Sequence, residues 1–276
     1  MKGFTRDWWR RNKKRGTVVV CAAVALVAYL AYAYAYEVLP GAAFYLLGDL
    51  EPPAAQDRVL VFAPHPDDET IGAGAYIFTA AGAGAQVRIV LATDGNKHGL
   101  KDQRYREFRH AAALLGVPAN GLEFWEYPDG RLEDYRGVLG ARVGRAIAEF
   151  RPTVVFYPHP GDRHPDHAVL GRAVEELLAG SPGVRGYRYL VHHPHFPQPK
   201  MLARKNFLLP PVAMLTFDQR WLRFCPPREA EKAKAAAVLE YRTQLKNPFL
   251  RPLLLSFLRE NELFSSVFEG RKHGGP

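Results

Sequence analysis

The segment VLVFAPHPDDE, residues 59–69, sets five consecutive apolar side chains directly ahead of a histidine, two aspartates and a glutamate. A run this short and apolar reads as a strand. Pro64 bounds it, and His65-Pro66-Asp67-Asp68-Glu69 follows at its carboxyl end. Residues 70–83 then read as a glycine-rich helix.

The same unit recurs outward from this stretch. Residues 86–92 (QVRIVLA), 122–125, 153–157 (TVVFY) and 187–192 read as further strands. Residues 103–115, 135–150 and 166–178 read as the helices between them. Strands alternating with helices of this length predict an α/β fold: a doubly wound, mainly parallel, Rossmann-like sheet with helices on both faces. Ligands of such sheets bind outside the carboxyl ends of the strands. A second polar cluster, His159-Pro160-Gly161-Asp162-Arg163-His164-Pro165-Asp166-His167, follows the strand at 153–157 in the same way.

Each cluster sets a histidine and a second ligand-type residue three positions apart across a proline: His65 with Asp68, and His164 with His167. The prolines narrow the backbone ensemble and lower the entropy lost in holding ligands in place. A catalytic zinc site needs three nitrogen or oxygen ligands and one open position. His65, Asp68 and His167 would supply them, leaving Asp67, His164 and Asp166 for acid–base work. Cysteine does not contribute, since Cys21 and Cys225 are the whole supply and Cys21 lies in an apolar stretch. Such ligands also accept Fe(II), Co(II) or Mn(II). An acidic pair after a strand also suits simple helix capping. Two clusters at equivalent strand ends argue against capping alone.

HPDDE at 65–69 together with DRHPDH at 162–167 resembles the signature pair of the PIG-L (LmbE-like) deacetylases. The resemblance runs from about Arg58 to Phe268. It takes in Thr93-Asp94-Gly95, Arg104 and Glu107 ahead of Leu115-Gly116, the segment 234–244, and Asn261-Glu262-Leu263-Phe264. It implies a zinc hydrolase that removes acetyl groups from N-acetylglucosamine-type sugars. By the same resemblance His65, Asp68 and His167 are the metal ligands and Asp67 the general base. His164, protonated, stabilises the oxyanion or donates a proton, and Asp166 is its orienting neighbour. Arg104 either grips a substrate phosphate or carboxylate, or pairs with Glu107 on the surface at i, i+3. Asp129-Gly130 reads as a turn, to which the resemblance adds a contact from Asp129 to a sugar hydroxyl. His192, His193 and His195 read as pocket wall or structural residues, and His98 and His110 as solvated ones.

The net charge of +9 is unevenly spread. Seven basic residues against Asp7 give residues 1–16 a charge of +6, so the remaining body carries only +3. No nucleic-acid footprint is left. Residues 17–36 are apolar and uncharged, and about 20 residues at 1.5 Å rise match a hydrocarbon core of roughly 30 Å. The organisation expected is therefore a basic cytoplasmic N-terminus (1–16), a transmembrane signal anchor (17–36), a juxtamembrane linker (37–57), a deacetylase domain (58–268) and a short tail (269–276). Trp8 and Trp9 flank the span as interfacial aromatics, and the positive-inside rule puts the catalytic domain on the extracytoplasmic side. The competing reading is a cleaved signal peptide and a secreted protein, since Ala31-Tyr32-Ala33 is a small-x-small site.

The expected substrate is an N-acetylated amino sugar in a glycolipid, lipid-linked or surface-polysaccharide form. The alternatives are a metal-dependent phosphoester hydrolase and a non-catalytic, membrane-tethered carbohydrate-binding protein. Residues 201–221 read as a core-covering or lid segment, and 247–258 as a helix packed on the body. A bilayer contact through their leucines and phenylalanines is the other reading of both.

Overall fold

Every side chain from Val59 to Ala63 is fully buried, yet the five serve two different cores. Val59, Val61 and Ala63 face one apolar cluster, and Leu60 and Phe62 face the other. That alternation follows from the two-residue period of a strand and requires cover on both faces of the sheet. In the computed structural model, which describes residues 2–96 and 99–267 and only the backbone of 2–12, helices supply it. His98, the side chains of Trp8 and Trp9, and the expected tail at 269–276 lie outside the described residues.

The strands are β1 (Gly48–Asp49), β2 (Arg58–Ala63), β3 (Gln86–Thr93), β4 (Leu122–Tyr127), β5 (Val154–Pro158), β6 (Arg185–Tyr189), β7 (Gln219–Phe224) and β8 (Glu262–Val267). The helices are α1 (Lys2–Tyr36), α2 (Asp68–Gly82), α3 (Lys101–Leu114), α4 (Arg136–Phe150), α5 (Pro165–Leu178), α6 (Arg228–Glu240), α7 (Arg242–Lys246) and α8 (Leu250–Ser256). Residues of α2, α3, α6 and α8 share the first core, and residues of α4 and α5 the second.

The sheet order is β1-β7-β8-β6-β5-β2-β3-β4. The sheet is mixed, because β8 runs antiparallel to both β6 and β7 while the other pairs are parallel. β2 continues to β3 and β4 on one side, whereas β5 and β6 lie on its other side. The crevice between β2 and β5 is thus a point where strand order reverses, the usual ligand position in open α/β sheets. In the register Val59↔Val154 and Val61↔Phe156 the carboxyl ends of these strands are adjacent, which brings the two polar clusters together.

α2 is broken near its start. Ala73 has φ −141° and ψ 15°, outside the helical region. The broken turn is repaired from the far end of the chain. Glu262 accepts from the Ala75 and Tyr76 N–H groups at 2.8 and 2.9 Å, and Lys234 donates to the Ile71 carbonyl at 2.9 Å.

α1 is one uninterrupted helix through the expected boundary at residue 16. Its portion Lys13–Tyr36 is long and apolar enough to cross a membrane. Apart from Ala33, the side chains from Lys13 to Tyr36 are exposed. The expected linker 37–57 is ordered: it forms a 3-10 helix, Gly41–Leu46, and then β1 pairs with β7 at the sheet edge. Residues 201–221 form irregular cover that holds Leu208 in the core and leads into β7. In 247–258, α8 packs Leu254 inward while Phe249 stays exposed.

Candidate active site

Asp68 is the centre of the cluster. Its Oδ2 lies 2.8 Å from the His65 backbone nitrogen, 3.2 Å from His65 Nδ1 and 3.0 Å from His167 Nε2. Burial opposes ionisation of this carboxyl, but the two imidazoles hold it well below the ordinary carboxylate range. Burial likewise opposes charge on the rings, and the carboxylates outweigh it. His65 is raised to about 9 by Asp166 and Asp68, and His167 to about 10 by Asp68 and Asp162.

His167 is fully buried, and neither ring nitrogen makes a hydrogen bond of acceptable geometry, although carboxylate oxygens stand 3.0 and 3.3 Å away. Nitrogens that are close to acids but misaligned for hydrogen bonding suit a metal ion better than a proton. The donor set of imidazoles and one carboxylate also fits a zinc-type ion. Ligand atoms of His65, His164 and His167 fall within 4.8 Å of one another, as do those of Asp68, His167 and His192. His65, Asp129 and Asp166 form a third such group.

Asp67 caps α2 with φ +126°, a conformation that L-residues rarely adopt. Strain of this kind, about 1–3 kcal/mol, gathers where a side chain must be aimed. Here it aims a buried carboxylate whose pKa rises to about 8, through burial and then the neighbouring Asp68 charge, with Arg104 and His65 opposing. Arg104 Nη2 lies 3.4 Å from Asp67 Oδ2 and donates to the Pro66 carbonyl at 2.9 Å. Its Nη1 donates to the Gly95 carbonyl at 3.0 Å and lies 3.5 Å from Asp129 Oδ2. The surface pair with Glu107 does not form. Glu107 instead accepts from Thr243, and Arg104 is buried in the site.

His164 stands at the start of α5, where its Nδ1 accepts from the Asp166 backbone N–H at 3.3 Å. Burial, then the charges of His65 and His167, lower it to about 4. The ring is therefore neutral at pH 7 with its proton on Nε2. In the metal-free cluster the two cationic neighbours disfavour the third charge that a protonated His164 would add. The Asp166 carboxylate is turned to His65 Nε2 at 3.0 Å, and not to His164. It is fixed there by the Gly130 and Leu132 N–H groups at 2.8 and 2.9 Å. Asp129 occupies the expected turn, with Oδ1 3.4 Å from His65 Nε2.

Asp162 carried no role in the sequence reading, and His192 only that of pocket wall or structural residue. Asp162 Oδ1 accepts from the His164 N–H at 2.9 Å. Its Oδ2 accepts from the Val191 and His192 N–H groups and lies 3.3 Å from His167 Nδ1. His192 packs its ring 4.7 Å from that of His167 and 5.2 Å from that of His164. An acid five residues before a ligand-type histidine, and a histidine at the end of the adjacent strand, were the available signals. His159 turns away, pairing Nε2 with Gln219 Oε1 at 3.0 Å. His110 is exposed, 3.6 Å from Glu240.

Residues 60–178 match the model of the PIG-L family, described as GlcNAc-PI de-N-acetylase. Over 172 residues the chain is 31% identical to a 1D-myo-inositol 2-acetamido-2-deoxy-alpha-D-glucopyranoside deacetylase of Kineococcus radiotolerans, covering 47% of each chain. Over 126 residues it is 31% identical to the diacetylchitobiose deacetylase of Thermococcus kodakarensis, covering 41% of this chain and 46% of that one. The chain thus spans a little under half the length of these two relatives. The N,N'-diacetylchitobiose deacetylase of Pyrococcus horikoshii shares the fold, with TM-score 0.52 and 24% identity over 78% of this chain and 86% of that one. Residues 60–178, which hold both His/Asp clusters, are thus the part of the chain that matches the PIG-L (LmbE-like) deacetylase family.

Proposed function

We propose that the protein is a metal-dependent hydrolase that removes the acetyl group from an N-acetylated amino sugar of the N-acetylglucosamine type. The observation that carries this reading is the meeting of His65, Asp68 and His167 around one carboxylate oxygen, with His167 buried and its nitrogens unmatched by aligned donors or acceptors. His65, Asp68 and His167 would hold the ion, with His192 beside them as a further nitrogen donor. A bound divalent ion, zinc in the first instance, supplies Lewis-acid polarisation of the acetamide carbonyl and acidifies water.

Asp67 is the general base. Its raised pKa keeps it close to the working range, where proton transfer in either direction is efficient. It takes a proton as the water oxygen bonds to the acetyl carbon, and the proton leaves on the sugar amine when the C–N bond breaks. The products are acetate and the free amino sugar. His164, neutral and donating through Nε2, stabilises the developing oxyanion, and Asp166 holds His65 in orientation. Arg104 and Asp129 face the same space and would bind sugar hydroxyls or a charged aglycone.

α1 would anchor the catalytic domain at a membrane, with the substrate in a lipid-linked or surface form. Its continuous, exposed, apolar surface supports this reading. The test is acetate release from N-acetylglucosaminides by the purified full chain, with metal analysis alongside. Chelation should abolish turnover, zinc should restore it, and His167→Ala should lose both metal and activity. Phosphate release without acetate release, or turnover indifferent to chelators, would overturn it.

A further inference from the structure

A cavity of about 550 Å³ lies at the foot of α1, between the helix end and the catalytic body. That volume is in the range of ligand pockets. Val38, Leu39, Phe196, Phe207 and Leu209 line it, with Glu37, Gln198, Lys205 and Asn206 as the polar part of its wall, and so does Tyr32, a residue of the membrane-length stretch Lys13–Tyr36. One wall of the cavity is therefore part of the apolar helix itself. Phe207 is braced from behind by Phe44, ring centroids 3.8 Å apart, and Phe44 belongs to the 3-10 helix that leaves Tyr45 and Leu46 74% and 87% exposed. The apolar surface of α1 thus runs on into the cavity and into the first turn beyond it.

The cavity is also tied to the reaction centre. The turn 192–196 begins with His192 against His167 and His164, and ends with Phe196 in the cavity wall. Between them, His193 Nε2 lies 3.7 Å from Glu37 Oε2, and His195 packs edge-on to Tyr36 at 5.4 Å. Four residues of chain span at most about 14 Å even when extended. The bridge between His193 and Phe196 folds this turn back on itself. A sugar at the cluster and an aglycone in the cavity can therefore belong to one molecule.

We infer that this cavity receives the hydrocarbon chain of an amphiphilic amino-sugar substrate, entering beside α1 while the acetamide meets the His/Asp cluster. The inference rests on the deacetylase reading above and extends it to the aglycone. It makes the turn 192–196 the link between chain recognition and chemistry.

The test compares methyl and octyl N-acetylglucosaminides, below micellar concentration, as substrates of the zinc-loaded full chain in nanodiscs. Each buried methylene is worth about fourfold in affinity. The octyl glycoside should exceed the methyl glycoside in kcat/KM at least tenfold. Leu209→Glu should abolish that gain and leave methyl-glycoside turnover unchanged. Leu209→Ala, the gentler variant, should reduce it several-fold, with methyl turnover as the check on folding. Equal treatment of the two glycosides by the parent, or a gain that survives Leu209→Glu, overturns the inference. If neither glycoside yields acetate, the deacetylase reading fails, and equilibrium dialysis of labelled octyl glycoside decides the cavity separately. Retention by the parent and loss in Leu209→Glu sustain it, and equal retention refutes it. A full chain that needs no lipid or detergent to stay in solution refutes the anchor while leaving the comparison of glycosides valid.

Discussion

Lys234 Nζ and Glu262 Oε1 lie 2.7 Å apart, both almost wholly buried, at the point where α2 breaks. The pair closes the gap at Ala73 from both sides, the lysine on the Ile71 carbonyl and the carboxylate on the next two free N–H groups. Asp68 begins this helix, so the position of a proposed ligand depends on residues 166 and 194 positions further along the chain.

Glu262→Gln removes one partner of a buried pair and leaves the lysine charge uncompensated. A loss of about 3–5 kcal/mol is expected, read by urea denaturation. Zinc affinity should weaken as well, because the first turn of α2 loses its support. A variant within 1 kcal/mol of the parent would show that the helix break does not depend on this contact.

Asp67→Asn keeps the shape of the side chain and removes its basicity. Acetate release should fall by about 10²–10⁴-fold with bound metal retained, as titrated by metal analysis. Loss of metal together with activity would instead make Asp67 a ligand.

Zinc should compete with protons. His65 and His167 are raised to about 9 and about 10, so both carry a proton at pH 7 before metal binds. Ligation needs neutral imidazole, so binding should release more than one proton at pH 7 and tighten as pH rises towards 9. Calorimetry in buffers of different ionisation enthalpy counts them directly. Zero net release would contradict the carboxylate-held imidazolium pair.

His159 is buried as the neutral ring, accepting from the Gly161 N–H at 2.9 Å and pairing with Gln219. Burial, then the Arg188 charge, lowers it to about 4 against the opposing Gln219 bond. Below an unfolded value near 6.5 the unfolded chain binds the proton more readily, so this residue's contribution declines as pH falls. It declines by at most about 1.4 kcal/mol per pH unit and levels off below about 4. His159→Asn should remove this slope between pH 6.5 and 4, and identical slopes in parent and variant would refute it.

The half of the sheet that holds the candidate site was legible in the sequence. β2 and β5 read as apolar runs from Val59 to Ala63 and from Val154 to Tyr157, and β3 as one from Ile89 to Ala92, because parallel strands are buried on both faces, and each polar cluster announced itself by ending one of the first two. β7 and β8 were missed for the converse reason. In QRWLRF the exposed Arg220 and half-buried Arg223 interrupt the apolar run, and β8 was legible only as a resemblance over 261–264. Side-chain direction was less legible than position. Arg104 and Glu107 share a helix face by spacing, yet they diverge to Pro66 and Thr243, because unpaired backbone and hydroxyl groups elsewhere offered each a better partner. Asp166 likewise sits next to His164 in sequence but serves His65, which only the pairing of β2 with β5 brings within reach.

β8 comes after every other strand in chain order, yet it lies between β6 and β7 in the sheet. Until it arrives, β7 and β1 have no partner joining them to the remaining strands, and β6 presents an open edge to any passing chain. The sheet cannot be completed in the order in which the chain is made. A ribosome that stops before Glu262 would release a molecule with both His/Asp clusters written and no closed sheet to hold them, so assembly of the site waits on the strand made after all the others described.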